Sequence, residues 1–120
     1  MHALIIEDET RISLMIEEQL RVLGFTTFDI AVTEEDAVRM AERTCPNLIT
    51  ADENLAPGSG FRAIRRICAE QAIPVIFITG DPSSVELPNV VILAKPFGGD
   101  ALREAAAKAA MCARAFGTRF

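Results

Sequence analysis

The stretch LITADENLAPGSG (Leu48–Gly60) joins a short apolar run, Leu48-Ile49-Thr50-Ala51, to a loop of small, turn-forming residues, and the residue at the junction is the carboxylate Asp52. Asp is a common first residue of a loop, so Asp52 alone says little. Its meaning depends on what stands at the ends of the other apolar runs, and the rest of the chain supplies several.

Working outward, apolar runs alternate with amphipathic segments. Ala3 to Ile6 predicts a strand. Ile12, Met15, Ile16, Leu20 and Leu23 recur at helical spacing within Thr10 to Leu23, and Gly24 closes that helix. Thr26 to Ala31 predicts a second strand. Thr33-Glu34-Glu35-Asp36 resembles a capping box and opens a helix to about Arg43, which Pro46 stops. Beyond Leu48 to Ala51, a helix is expected over Phe61 to Ala69. Further strands are expected at Pro74 to Ile78 and Val90 to Ala94, separated by a polar connector, Asp81 to Asn89, that contains Pro82 and Pro88. A last helix runs from a cap at Asp100 through a stripe of Leu102, Ala106, Ala109, Ala113 and Phe116 to Gly117. Strands that are apolar on both sides, alternating with amphipathic helices, imply a parallel sheet covered on both faces. Right-handed crossovers then bring every strand's carboxyl end to one edge, where α/β sheets hold their sites.

That edge collects chemistry. The first strand ends in Glu7-Asp8-Glu9, the third in Asp52, the fourth in Thr79-Gly80-Asp81, and the fifth in Lys95-Pro96-Phe97. Singly, each has a plain explanation: acids favoured at a helix N-terminus, a strand threonine, a solvated lysine. Together they form one arrangement. Clustered carboxylates repel unless a cation sits among them, and hard oxygen donors suit Mg²⁺. An Asp carboxylate can take up a phosphoryl group as an acyl phosphate, with Lys95 and the Thr79 hydroxyl placed for the phosphoryl oxygens.

Composition is consistent with this. Of 120 residues, 50% are hydrophobic and 24% charged, the profile of one globular domain. The net charge of −5 offers no basic face for nucleic acid. No run reaches the length of a membrane span, and no signal peptide is expected. Cys45, Cys68 and Cys112 lack metal-binding spacing and read as packed, reduced thiols of a cytoplasmic protein. His2 is the only histidine, which leaves no basis for histidine catalysis. Arg62, Arg65 and Arg66 read as a solvated helix face.

The segments LIIEDE, NLITADENLAPGSG, PVIFITG and VVILAKPF, in this order, resemble the receiver domain of two-component response regulators across residues 1–116. The resemblance implies a flavodoxin-like, doubly wound sheet of five parallel strands in the order 2-1-3-4-5, one domain over 1–120 with a short tail at 117–120. It implies Asp52 as phosphoacceptor, Asp8 as a direct Mg²⁺ ligand, Glu7 as a ligand through water, and the Asn54 backbone carbonyl as the remaining protein ligand. Thr79 and Lys95 would couple phosphorylation to loop movement. The implied partners are a sensor histidine kinase or histidine phosphotransferase and a downstream protein. Asn54 and Asp81 flank the acceptor and are expected to influence the attacking water and so the phosphoryl lifetime. No DNA-binding segment is expected in this chain.

Several residues depart from the family pattern. Glu7 stands where Asp is common. Pro57 comes one place late, with Ala56 before it. Ile92 occupies a switch position usually filled by Tyr or Phe. The short span from Gly80 to Ala94 leaves the usual fourth helix shortened or irregular. The last two changes fall on the family's usual output and dimer face. In them the chain is similar to receivers of general-stress-response regulators that switch partners with anti-sigma factors. Two other readings are weighed. A pseudo-receiver would act as a scaffold without phosphorylation. A phosphatase of the haloacid-dehalogenase type would also use an Asp nucleophile, but Asp52-Glu53-Asn54-Leu55 lacks that class's second acid. The expected role is signalling rather than enzymatic turnover, with phosphorylation and autodephosphorylation as its only chemistry.

Overall fold

A computed structural model describes all residues except 54, 56, 57, 70, 85–89 and 117–120, and describes the backbone but not the side chains of 84 and 112–116. The elements are β1 (His2–Ile6), α1 (Thr10–Val22), β2 (Thr27–Ala31), α2 (Glu34–Arg43), β3 (Leu48–Asp52), α3 (Gly60–Ile67), β4 (Val75–Thr79), a 3₁₀ turn (Pro82–Ser84), β5 (Val91–Ala94) and α4 (Gly99–Phe116). The strands form one parallel sheet in the order β2-β1-β3-β4-β5. This is the expected flavodoxin-like sheet. Among the described residues, a single 3₁₀ turn stands where a helix between β4 and β5 was expected to be shortened. Pro57 and Pro88 lie outside the described residues.

Local sequence sets the element ends. The amide of Gly24 donates to the Arg21 carbonyl and that of Phe25 to the Leu20 carbonyl, with Gly24 at φ 102°. This left-handed closure needs a residue without a Cβ. Thr33 caps α2 by accepting the Asp36 amide at 3.1 Å, and Ser59 caps α3 by accepting the Arg62 amide at 3.0 Å. The expected cap at Asp100 is corrected. α4 starts at Gly99, the Leu102 amide donates to the Gly98 carbonyl, and Asp100 sits in the first turn paired with Arg103.

Strand alternation divides the core into two layers. Ala3, Ile5, Leu48, Ile76, Ile78 and Leu93 pack under α1 and α4 through Ile16, Leu20, Leu102 and Ala106. Leu4, Ile6, Ile49, Ala51, Val75 and Phe77 pack under α2 and α3 through Ala37, Ala63, Ile64 and Cys68. Each fully buried side chain of this size contributes roughly 1.5–3 kcal/mol. The same period of two carries past the strand ends. Glu7, Asp52 and Lys95 continue the α1/α4 set, while Glu53 and Thr79 continue the α2/α3 set.

Two readings of single residues change. Arg66 is more than a solvated residue, because it reaches from α3 to Glu34 at 2.9 Å and to Glu35 at 2.6 Å on α2. Cys45 is exposed rather than packed, whereas Cys68 is buried and burial pushes its thiol up to about 11. The His2 ring nitrogens lie 2.9 Å from Thr27 Oγ1 and 3.0 Å from Asp29 Oδ2, at the strand ends opposite the acids. No helix among the described residues is long and apolar enough to cross a membrane.

Candidate functional site

Asp52 ends β3 and is 3% exposed; Glu7 follows β1 and is 2% exposed. Asp8, next along, is exposed. One carboxylate oxygen from each of Glu7, Asp8 and Asp52 lies within 4.8 Å of the others, so the three acids at the strand ends converge as expected. Lys95, just past β5, donates from Nζ to Asp52 Oδ2 at 2.9 Å. Asn54 lies outside the described residues.

The electrostatics follow from burial and crowding. Burial pushes the Glu7 carboxyl up from 4.5 to about 7. The amide of Glu9, donating to Glu7 Oε2 at 3.1 Å, and the Lys95 ammonium pull it down, while hydrogen bonding to Asp52 and its charge push it further up. Partial burial alone would lower the Lys95 ammonium, but its hydrogen bond and charge pairing with Asp52 outweigh that, and its pKa is raised. No group donates a hydrogen bond to the buried Glu7 Oε1, since the Asp52 carboxylate beside it is itself an acceptor. A buried carboxylate oxygen with no donor costs free energy unless a proton or a cation meets it. Three converging carboxylates with such an oxygen among them fit a hard divalent cation that prefers oxygen ligands.

Thr79 reaches the rim differently from the acids. It is fully buried at the end of β4, and its hydroxyl accepts the Asp81 amide at 3.1 Å and donates to Glu53 Oε2. The Thr79 carbonyl accepts the Lys95 amide at 2.9 Å, which ties the ends of β4 and β5 together. Asp81 accepts the Ser83 hydroxyl at 2.6 Å. The acids and Lys95 thus meet as the sequence suggests, while Thr79 engages a residue that motif reading passes over. What brings Glu53 to Thr79 is strand register, which the sequence alone does not display. Asp52 pairs with Ile78, so the next residues, Glu53 and Thr79, fall opposite each other.

The loop after β3 is held from two sides. The Ser59 amide donates to Glu34 Oε1 at 3.2 Å, and Glu34 is itself buried against Arg66. At the next residue, Gly60 sits so close to the Asp52 backbone that a Cβ there would lie 2.0 Å from the Asp52 carbonyl oxygen. Gly60→Ala is therefore expected to shift this backbone and cost about 1–3 kcal/mol. A thermal melt reads this as a fall of roughly 5 °C or more; an unchanged melting temperature contradicts the close approach.

Comparison with known proteins bears on the family and the fold. The family model "Response regulator receiver domain" matches residues 3–107. Regulatory protein VirG of Agrobacterium tumefaciens is 26% identical over 103 residues, which is 80% of this chain and 38% of that protein. The chain spans less than half the length of the curated relatives it matches. Among solved structures, the Erythrobacter litoralis PhyR response regulator REC domain superposes with a TM-score of 0.83 at 31% identity, covering 99% of this chain and 93% of that one. Anti-anti-sigma factor PhyR from Bartonella quintana gives 0.78 at 36% identity, covering 92% and 46%.

Proposed function

The chain belongs to the response regulator receiver domain family of two-component signalling, and from that premise we propose that Asp52 is its phosphoacceptor, served by Mg²⁺ at Glu7, Asp8 and Asp52. The observation that carries this reading is the buried Asp52 carboxylate, 2.9 Å from the Lys95 ammonium and beside a Glu7 oxygen that lacks a donor. The Asn54 backbone carbonyl is the remaining proposed ligand. Mg²⁺, when bound, neutralises the carboxylate cluster and offers a coordination position to a phosphoryl oxygen.

An Asp52 oxygen attacks phosphorus. The bond from phosphorus to the donor breaks, and its electron pair leaves on the imidazole nitrogen of a histidine kinase or phosphotransferase. The Lys95 ammonium is placed for one phosphoryl oxygen, and the Thr79 hydroxyl for a second once it turns from Glu53. Hydrolysis of the acyl phosphate resets the domain, which otherwise turns over no substrate. Asp81 is held beside Thr79 through its amide, which supports a role in phosphoryl lifetime. The site of action is the cytoplasm, and the output is a change in protein contacts. Because the Bartonella neighbour is an anti-anti-sigma factor, the downstream partner we propose is an anti-sigma factor.

A second reading, a pseudo-receiver that acts by contacts alone, is favoured by the direction of the Thr79 proton toward Glu53. Intact-protein mass after incubation with Mg²⁺ and acetyl phosphate separates the two. The expected result is a gain of one phosphoryl group that needs Mg²⁺ and is removed by hydroxylamine, as an acyl phosphate is. Absence of any gain while Mg²⁺ still binds would leave a receiver that needs its kinase or the scaffold, and absence of a gain from a phosphorylated histidine kinase as well would overturn the phosphoacceptor reading.

A further inference from the structure

A threonine hydroxyl has one proton to give. In Thr79 that proton goes to the Glu53 carboxylate, and the oxygen's acceptor side is taken by the Asp81 amide at 3.1 Å. The bond is built into the fold. The Glu53 amide donates to the Ile78 carbonyl at 3.0 Å, so the residue after β3 is pinned to the end of β4. Strand alternation then turns the Glu53 and Thr79 side chains to the same side of the sheet, in facing positions. Thr79 is fully buried, and a buried hydroxyl donating to a carboxylate makes a charge-assisted bond, about twice as strong as a neutral one. Glu53 itself is only half-buried, so it can turn to water when displaced.

Resting on the phosphoacceptor reading above, we propose that Glu53 is a positioning residue that holds the Thr79 hydroxyl in the unmodified protein and competes for it with a phosphoryl group on Asp52. Both acceptors are anions on neighbouring residues, and the hydroxyl can serve only one. Phosphorylation must therefore break the Glu53–Thr79 bond before Thr79 can hold the phosphoryl group, and the charge on Glu53 opposes the accumulation of the modified form. The device sets the threshold of the site: a weak phosphodonor leaves Thr79 with Glu53, and a strong one captures it.

The test measures the phosphorylated fraction by intact mass at a fixed, subsaturating concentration of acetyl phosphate with Mg²⁺. Glu53→Gln keeps the shape and removes the charge, and Glu53→Ala removes the acceptor altogether. Glu53→Gln is expected to raise the ratio of phosphorylated to unmodified protein roughly fivefold, the difference between a charge-assisted and a neutral hydrogen bond, and Glu53→Ala to raise it further, because no acceptor remains. The gain is expected to vanish in a Thr79→Val background, where there is no hydroxyl to release, and to return with Thr79→Ser, which restores it. Before any phosphodonor is added, the Asp81 amide resonance should already move in Glu53→Ala, because that N–H donates to the same hydroxyl oxygen. A gain of equal size in the Thr79→Val background would mean that Glu53 acts only as a nearby charge, and would overturn the proposal. An unchanged ratio, or an unmoved Asp81 resonance, would do the same. A parent protein that takes up no phosphoryl group from acetyl phosphate or from a phosphorylated histidine kinase overturns the Asp52 reading first, whereas a phosphorylated parent with an indifferent Glu53 overturns this proposal alone.

Discussion

Asp52→Ala should take up no phosphoryl group under conditions that modify the parent, and should do so while still folded. Loss of uptake follows because the nucleophilic oxygen is gone. Retention of the fold needs its own argument, since Asp52 is buried and paired with Lys95 at 2.9 Å. Breaking a buried pair is costly when the remaining charge is trapped. Here the Lys95 side chain is 28% exposed and can reach water. On the other side, removing Asp52 relieves Glu7 of both the charge and the hydrogen bond that push its carboxyl up. The two effects oppose, and the net change in stability is expected to stay within about 1 kcal/mol. Intact mass after acetyl phosphate, read beside a thermal melt of the same sample, checks both halves. A folded variant that still gains one phosphoryl group would move the acceptor elsewhere, with Glu7 and Asp8, whose carboxylates share the cluster, the first candidates.

Much of the arrangement is legible in the sequence alone, and the reasons are physical. Apolar runs that alternate with helical stripes leave a parallel sheet as the way to bury both faces. Once the sheet is parallel, the residues after Ile6, Ala51, Ile78 and Ala94 must share an edge. Glu7, Asp8, Asp52 and Lys95 meet there as that logic requires. Contacts that depend on register or on loop path are not legible. Opposition of Glu53 and Thr79 requires knowing that Asp52 pairs with Ile78 and not with a neighbour one place along. A slip of one residue would turn Thr79 to the other face. Glu34 reads as a first-turn acid of α2, favoured there by the helix dipole. Its bonds to the Ser59 amide and Arg66 depend on how α3 lies against α2, which no local pattern encodes. Gly60 reads as one more small residue in a glycine-containing loop until the Asp52 carbonyl is found against it.

Glu7→Gln should make the metal-free protein more stable at neutral and alkaline pH while weakening Mg²⁺ binding. In the fold, the Glu7 carboxyl is pushed up from 4.5 to about 7, chiefly by burial. The folded state therefore holds a proton that the unfolded chain has already released, and stability falls as pH rises between those two values. Below about 4.5 both states are protonated and Glu7 costs nothing. Above about 7 both are ionised and the full penalty of the buried charge applies, on the order of 1–3 kcal/mol once partial solvent screening is allowed for. Glutamine carries no charge to desolvate, so the variant should lack this part of the pH dependence. The parent-minus-variant difference in stability should open across the same window and stay constant above it. Chemical denaturation in chelator at pH 5 and pH 8 measures this directly. Adding Mg²⁺ at pH 8 should then reverse the order. The parent gains stability in proportion to the logarithm of metal concentration over its dissociation constant, and the variant, with one anionic ligand fewer, gains less. Equal stability of the two proteins at pH 8 in chelator would mean that the Glu7 charge is already compensated within the chain. In that case the buried oxygen without a donor would no longer support a metal at this site.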